Sequence, residues 1–338
     1  MNKVYFSLLL TSCGIFAQQP GGRSTFAFLN VPINARVAGL GGELVSQYGD
    51  DPNTVRYNPA AANSQMHQTL GLNYMKYYGD IYVANSSFVY GKDSLGIVWA
   101  GNLSYLEYGK MDRYDDGGNP TGTFSAREYA AVASAAKRIN YFSLGVNLGL
   151  AGSNLGGYNA HGVFMDLGGM YVPTNKGYTI GLLIKNIGFN FNNYTKKNFE
   201  SMPIDIQTGV TIKPQHMPLR FNITLHKLYR YNVSYYDPVS KIYIDQQGDV
   251  NNRKPGFLDK TIRHVNIGVE AILGKGFNLR AGYSFMRRQD LRFQAGSSGW
   301  AGFSAGAMIR IKRLSFEYTQ IFHHAAGSKG IITLNIKI

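Results

Sequence analysis

The chain has 338 residues and a formal net charge of +14, with 44% hydrophobic and only 16% charged residues. Its 40 Gly, 24 Tyr and 19 Phe suit pleated strands better than helices. Beyond the N-terminal leader no apolar run reaches the roughly 18 residues of a membrane helix, which excludes a helical membrane protein. Lys and Arg are scattered instead of gathered into a basic stripe, which argues against a nucleic-acid-binding protein.

The N-terminal leader is typical of export. Residues 1–17 combine a positive Lys3, a short apolar run over residues 4–10 and a small residue, Ala17, at a plausible cleavage point, so we predict a cleaved signal peptide. A second interpretation stays open, because residues 10–13 (LTSC) resemble a lipobox that would place a lipid on Cys13. Both interpretations predict an exported chain. Cleavage after Ala17 would leave no Cys, and therefore no disulfide.

The segment over residues 18–68 shows neither strand alternation nor a helical stripe. Its glycines permit tight backbone turns, its acids favour local side-chain-to-backbone turns, and its proline holds the residue before it extended. The residues with this chemistry are Gly39, Gly41, Gly42, Asp50, Asp51, Asn58 and Pro59. They predict a compact, irregular segment, and its apolar residues argue against the alternative of a disordered periplasmic tail.

From residue 69 onward the sequence alternates with a period of two. In FSLGVNLGL, residues 142–150, every second residue is large and apolar and the residues between are small or polar. Successive side chains of a strand point to opposite faces, so such a segment has one apolar and one polar face. About 14 segments of this kind follow one another. They span residues 69–77, 80–90, 94–109, 122–138, 140–152, 161–174, 177–191, 203–214, 218–232, 260–274, 276–288, 300–312, 313–324 and 327–338.

The connections between these segments alternate in length. After even-numbered segments most are short, such as residues 91–93 and 275, and after odd-numbered segments most are long, such as residues 110–121, 153–160 and 233–259. Short turns on one rim and long loops on the other are typical of a transmembrane β-barrel. A soluble β-sandwich is the alternative, because alternation alone fits both folds.

We therefore predict an all-β fold, a transmembrane antiparallel β-barrel of about 14 strands over residues 69–338. The barrel is expected to lie in the cell outer membrane, with both termini in the periplasm and the long loops outside. A barrel of this size has a lumen too wide for side chains alone to fill, so residues 18–68 are predicted to form an N-terminal hatch, or plug, inside it. The residues that we assign to the lumen are polar: Asn147, Asn222, Thr224, Asn266, Glu270 and Asn278.

We predict no enzyme activity and no catalytic, cofactor or metal site. No Ser stands in a Gly-x-Ser-x-Gly elbow. His323 and His324 are adjacent on a strand and face opposite sides, so they cannot chelate one ion together. Residues 112–119 (DRYDDGGN) hint at a calcium loop, but Thr123 stands at the twelfth position, where an acidic residue is needed.

The N-terminal segment carries a family signature. It has the elements FL, ARxAGxGG, DD and NPA, and it resembles the N-terminal signature of the PorV/PorQ family of the type IX secretion system, whose members are similar to FadL-type channels. The following MHQTLGLNYMKYYGDIYVANSSFVY is more similar to the PorQ branch than to the PorV branch. The signature residues are Phe28, Leu29, Ala35, Arg36, Gly39, Gly41, Gly42, Asp50, Asp51, Asn58, Pro59 and Ala60.

The resemblance implies a non-enzymatic barrel that anchors a PorZ-like surface protein of the cargo attachment complex. It also implies PorU-like and PorV-like neighbours and contact with outer-membrane lipid and lipopolysaccharide. Two alternatives stay open, a FadL-type channel for hydrophobic solutes and a PorV-like cargo shuttle. The polar lumen residues disfavour a fatty-acid route but not a plugged scaffold.

The longest connection, residues 233–259, is the predicted partner-binding loop. A loop that only caps a barrel does not need aromatic side chains at its tip, and large aromatics at exposed sites tend to be binding hot spots. The four candidate residues are Tyr235, Tyr236, Tyr243 and Phe257. The alternative is that this loop folds back on its neighbours.

Overall fold

The computed structural model describes residues 24–91, 95–174, 177–195, 200–233, 256–274, 276–291, 299–324 and 327–338. Fourteen antiparallel strands pair each with the next, and pairing of β1 with β14 closes the ring. The strands are β1 Thr69–Lys76, β2 Tyr82–Tyr90, β3 Ile97–Tyr114, β4 Pro120–Ile139, β5 Phe142–Leu155, β6 Tyr158–Tyr171, β7 Tyr178–Asn192, β8 Asp205–Ile212, β9 Leu219–Leu225, β10 Val265–Ile272, β11 Phe277–Ser284, β12 Phe303–Ile311, β13 Leu314–His324 and β14 Gly327–Lys337. The predicted fold class is confirmed.

The two faces of the sheet have the opposite polarity to those of a water-soluble barrel. In β5 the side chains of Leu144, Leu148 and Leu150 are exposed on the outer face, while Ser143 and Asn147 are buried in the lumen. All six residues predicted to face the lumen are buried. An apolar exterior around a polar interior is the arrangement of a barrel that faces lipid. Within the described ranges, no helix has the length and apolar character needed to cross a membrane.

Two of the predicted long loops are wrong, because the strands continue through them. β3 and β4 remain paired up to Tyr114 and Pro120, which leaves only a short turn where residues 110–121 were predicted as loop. β5 and β6 likewise remain paired up to Leu155 and Tyr158. Residues such as Asp112 and Arg113 lack the apolar alternation that marks a strand in lipid. They can still pair by their backbone groups in water, so the sequence pattern underestimates the strand length.

Elsewhere on the same rim the strands are shorter than predicted and two short helices replace them. β9 ends at Leu225, and β10 begins only after a helix, α2, over Phe257–Ile262. β11 ends at Ser284, where helix α3 over Phe285–Asp290 begins, and the Ser284 hydroxyl accepts a hydrogen bond from the backbone N–H of Arg287. Ser is a favoured helix N-cap, so this side chain helps to end the strand.

The N-terminal residues 24–68, called the hatch from here on, lie inside the ring of strands. The hatch consists of a short helix, α1 over Ala35–Gly39, and 3₁₀ turns at Ala27–Asn30, Pro52–Arg56, Pro59–Ala61 and Ser64–Met66. Its side chains and backbone contact inward-facing residues of strands on every side of the barrel, including β1, β5, β8, β11 and β13. Phe26, Phe28 and Leu29 of the hatch are buried with Met75 and Phe164 of the wall in one apolar cluster.

Candidate functional site

Helix α1 is fixed to the wall by its own backbone. The N–H of Ala35 donates to the Thr333 hydroxyl at 2.9 Å, and its carbonyl accepts from the Thr319 hydroxyl at 2.6 Å. Asn34 caps the helix by accepting from the N–H of Val37 at 3.0 Å. An unpaired buried backbone group is costly. The wall hydroxyls therefore hold the helix at one position in the lumen.

Arg36 projects from α1 into a group of three carboxylates. Its guanidinium lies 3.1 Å from Asp51 of the hatch, 3.6 Å from Glu317 and 3.9 Å from Glu270, and its side chain is only 4% exposed. Burial alone would lower the pKa of Arg36, but the three carboxylates outweigh it and the pKa is raised. The guanidinium thus stays charged and ties the hatch to β10 and β13.

Two wall arginines complete this arrangement, which we call the ion cluster and which comprises Arg36, Asp51, Arg220, Glu270, Arg280 and Glu317. Arg280 lies 2.8 Å from Glu270 and 2.5 Å from Glu317, and Arg220 lies 2.8 Å from Glu270. Arg220 and Arg280 thus pair with acids of the wall, and the hatch contributes a cation of its own, Arg36. Three cations therefore balance three carboxylates, and all of these side chains are buried except that of Arg220, which is 18% exposed.

The paired glycines of the signature occupy positions that other residues rarely adopt. Gly41 and Gly42 have φ angles of 104° and 103°. A Cβ on Gly42 would lie 2.8 Å from Nη2 of Arg287, whose guanidinium donates to the Gly41 carbonyl at 3.1 Å. These glycines let the chain leave α1 close to the wall, where an arginine of α3 holds it.

The acidic pair of the signature has two separate roles. Asp51 starts the 3₁₀ turn Pro52–Arg56, and its Oδ1 accepts from the backbone N–H of Asn53 at 3.1 Å. Asp50 is partly exposed and forms an ion pair with Arg310 of β12 at 2.7 Å. Asp51 therefore shapes the hatch and supplies a carboxylate to the ion cluster, while Asp50 ties the hatch to the wall.

Asn58 and Pro59 sit against glycines of the wall. The Asn58 side chain accepts from the N–H of Ala60 at 3.0 Å and donates to the Val45 carbonyl at 2.6 Å. A Cβ on Gly168 would lie 2.9 Å from Pro59, and one on Gly145 would lie 2.7 Å from the Pro59 carbonyl oxygen. Glycines on the inner face of β5 and β6 thus make room for the hatch backbone.

A second polar group lies at the rim opposite the C-terminus, and sequence analysis did not single it out. Glu43 of the hatch, Asp205 at the start of β8 and His226 just after β9 approach one another, with ligand atoms within 4.8 Å. Burial lowers the pKa of His226 to about 3, because a desolvated ring disfavours the charged form. Alternation within β8 and β9 could have placed Asp205 and His226 inward. No local pattern joins either residue to Glu43.

Only one of the four predicted partner-binding residues belongs to the described part of the chain. Tyr235, Tyr236 and Tyr243 lie outside it. Phe257 is the first residue of α2, and its side chain is 72% exposed beside Tyr231, at a ring distance of 5.9 Å.

The closed ring, the apolar exterior and the filled lumen define a class of fold, a 14-stranded antiparallel β-barrel with a hatch in its lumen. The structure is similar to that of the TodX monoaromatic hydrocarbon channel in its deltaS2 mutant, with a TM-score of 0.54 and 14% sequence identity over 90% of this chain and 97% of that chain. A weaker likeness, with a TM-score of 0.39 and 7% identity, covers 80% of this chain and 98% of the outer membrane protein Omp33 from Acinetobacter baumannii. No family model and no curated protein match the sequence.

Proposed function

We propose that the chain is a non-enzymatic outer-membrane barrel with a permanently seated hatch, which anchors a surface protein of a type IX attachment complex. The partner proposed from the sequence signature is PorZ-like, with PorU-like and PorV-like proteins beside it. The observation that carries the proposal is the ion cluster. A barrel that serves as a scaffold needs a rigid, closed lumen, and the buried pairing of Arg36 with carboxylates of the hatch and the wall supports this use.

Room for a passing solute is small in the middle of the lumen. The cavity between hatch and wall beside Phe28, Leu29 and Ile33 holds about 20 Å³. A cavity of about 150 Å³ is the size that takes up benzene. Passage of an aromatic solute beside Phe28 and Leu29 would therefore require the hatch to move, which supports a scaffold over a standing channel.

The far rim offers the contact surface in this proposal. Phe257 and Leu258 of α2 are 72% and 79% exposed, more than most apolar side chains on the lipid-facing wall. They border the loop that contains Tyr235, Tyr236 and Tyr243. Exposed aromatics on a loop that a rigid scaffold carries are suited to binding a protein partner.

The loop proposal is tested by replacing Tyr235, Tyr236 and Tyr243 with Ser in the bacterium that encodes the chain. We expect the barrel to insert in normal amount while the PorZ-like protein is lost from the cell surface. Tyr114→Ser, in the hairpin of β3 and β4 on the same rim, is the matched control and should retain the partner. Wild-type surface retention in the triple variant would rule this loop out as the main anchor.

A second candidate function is a channel for hydrophobic solutes. Its support is the likeness in fold to TodX, which is a monoaromatic hydrocarbon channel. This likeness favours a channel more directly than it favours an anchor. The two candidates differ in what loss of the gene does. An anchor predicts release of the surface protein with unchanged solute uptake. A channel predicts slower uptake of a hydrophobic solute such as toluene or a fatty acid, with the surface protein still in place.

A further inference from the structure

The group at the far rim joins three separate parts of the chain. Glu43 comes from the hatch, Asp205 begins β8, and His226 follows the last residue of β9. One ligand atom from each lies within 4.8 Å of the other two. Two carboxylates and an imidazole thus converge where the hatch meets the wall.

His226 is the member of this group that argues for a ligand, because its ring is buried and unpaired among the described residues. The residue is 3% exposed, and neither ring nitrogen has a hydrogen-bond partner among the residues that the structure describes. Its backbone is held by exchange of hydrogen bonds with His264, at 2.9 and 2.8 Å. Leaving a buried polar group unpaired is costly, so a ring fixed in this state points to a ligand.

Three neighbours already interact with the carboxylates, and one of them is the backbone N–H of Lys227, which donates to Asp205 at 2.6 Å. The amide nitrogen of Gln207 donates to Glu43 at 2.9 Å and to Asp205 at 2.7 Å. The ammonium of Lys185 lies 3.7 Å from Glu43 and 4.0 Å from Asp205, which is beyond ordinary hydrogen-bond length. Lys185 therefore neutralises the carboxylates from a distance and leaves room for a closer cation.

The chemistry of the three side chains selects among cations. Imidazole with carboxylates suits first-row transition metals such as Zn²⁺, whereas Mg²⁺ and Ca²⁺ prefer sites made only of oxygen. The ring of His226, when neutral, offers a nitrogen lone pair that can bind a metal ion. A cavity of about 310 Å³, lined by Glu43, Asp205 and His226, adjoins the group and has space for water ligands.

We propose that Glu43, Asp205 and His226 form a Zn²⁺-binding site that fastens the hatch to the wall at the far rim. The ion would replace the distant ammonium of Lys185 as the partner of the two carboxylates and would satisfy the orphaned ring. Since the ligands come from the hatch and from two strands, binding stabilises the seated hatch over a displaced one. The proposal holds whether the barrel is an anchor or a channel.

The test is a Zn²⁺ titration of the purified full-length barrel in detergent, after EDTA treatment, against a chromophoric chelator. We expect one Zn²⁺ per barrel, with an affinity that falls at least about tenfold in His226→Asn and in Glu43→Gln. His216→Asn, at an exposed turn between β8 and β9, is the control for binding to a surface histidine and should match wild type. Lys185→Met removes the competing cation and should bind Zn²⁺ more tightly.

Zinc X-ray absorption gives a second readout that is independent of affinity. The imidazole signature should be present in wild type and absent in His226→Asn. The proposal is overturned by a wild type that binds no Zn²⁺, by an affinity in His226→Asn equal to that of wild type, or by weaker binding in Lys185→Met.

Discussion

Replacing Arg36 with Met should release the hatch while leaving the barrel wall intact. Met keeps much of the length of the side chain but removes its charge. In the wild type three cations face three carboxylates in the ion cluster, and in the variant Arg220 and Arg280 remain against Asp51, Glu270 and Glu317. One buried carboxylate is then left without a counter-charge.

The size of the effect of Arg36→Met follows from the burial of the ion cluster. Arg36 is 4% exposed and Glu270 and Glu317 are fully buried, so water screens none of these charges well. Removing one partner of a buried ion pair typically costs about 3–5 kcal/mol. Because about 1.4 kcal/mol is a factor of ten, the population with a displaced hatch should rise by roughly two to four orders of magnitude.

The measurement is ion conductance of the purified barrel in planar bilayers, together with trypsin cleavage of the hatch in vesicles. Arg36→Met should show long-lived openings and fast cleavage, while resistance of the barrel to unfolding in cold SDS stays unchanged. Arg36→Lys keeps the charge and should show a smaller effect. The double variant Arg36→Met/Asp51→Asn restores the balance of charge and should recover part of the closed state.

The reasoning would be refuted by an Arg36→Met variant whose conductance and cleavage equal those of wild type. It would also be refuted if the double variant opened as readily as the single one, because the cost would then come from lost packing and not from an unpaired charge.

Two further predictions concern other contacts of the hatch. Gly168→Val should displace Pro59 at a cost of about 1–3 kcal/mol and raise the conductance. Gly169→Val, whose Cβ would have no neighbour nearer than 3.9 Å, should not, and equal conductance in the two variants would contradict this contact. Burial raises the pKa of Asp50, but Arg36 and Arg310 outweigh it, so the pKa lies below its ordinary value of 3.8. The ion pair with Arg310 therefore stabilises the seated hatch above pH 3.8 and loses its effect as the pH falls through the lowered pKa. Ion conductance should differ slightly between wild type and Asp50→Asn at pH 7 and not at all in strong acid, and a difference that grows in acid would refute the assignment.

The sequence by itself determined the barrel wall. Strand alternation is a local property, since each residue faces the side opposite to its neighbour, so FSLGVNLGL is enough to place Leu148 on the lipid and Asn147 in the lumen. The same alternation predicted the number of strands and most of their limits. It failed where strands leave the lipid, as at Asp112, because backbone pairing in water needs no apolar residue.

Only the tertiary structure decided which residues meet across the lumen. Arg36 and Glu317, or Glu43 and His226, are far apart in the chain, and their approach depends on closure of the ring and on the stagger of its strands. These quantities belong to the whole barrel and leave no mark in a short stretch of sequence. The signature residues showed that the hatch is compact. Their partners, including the glycines that admit Pro59, became visible only when the wall closed around them.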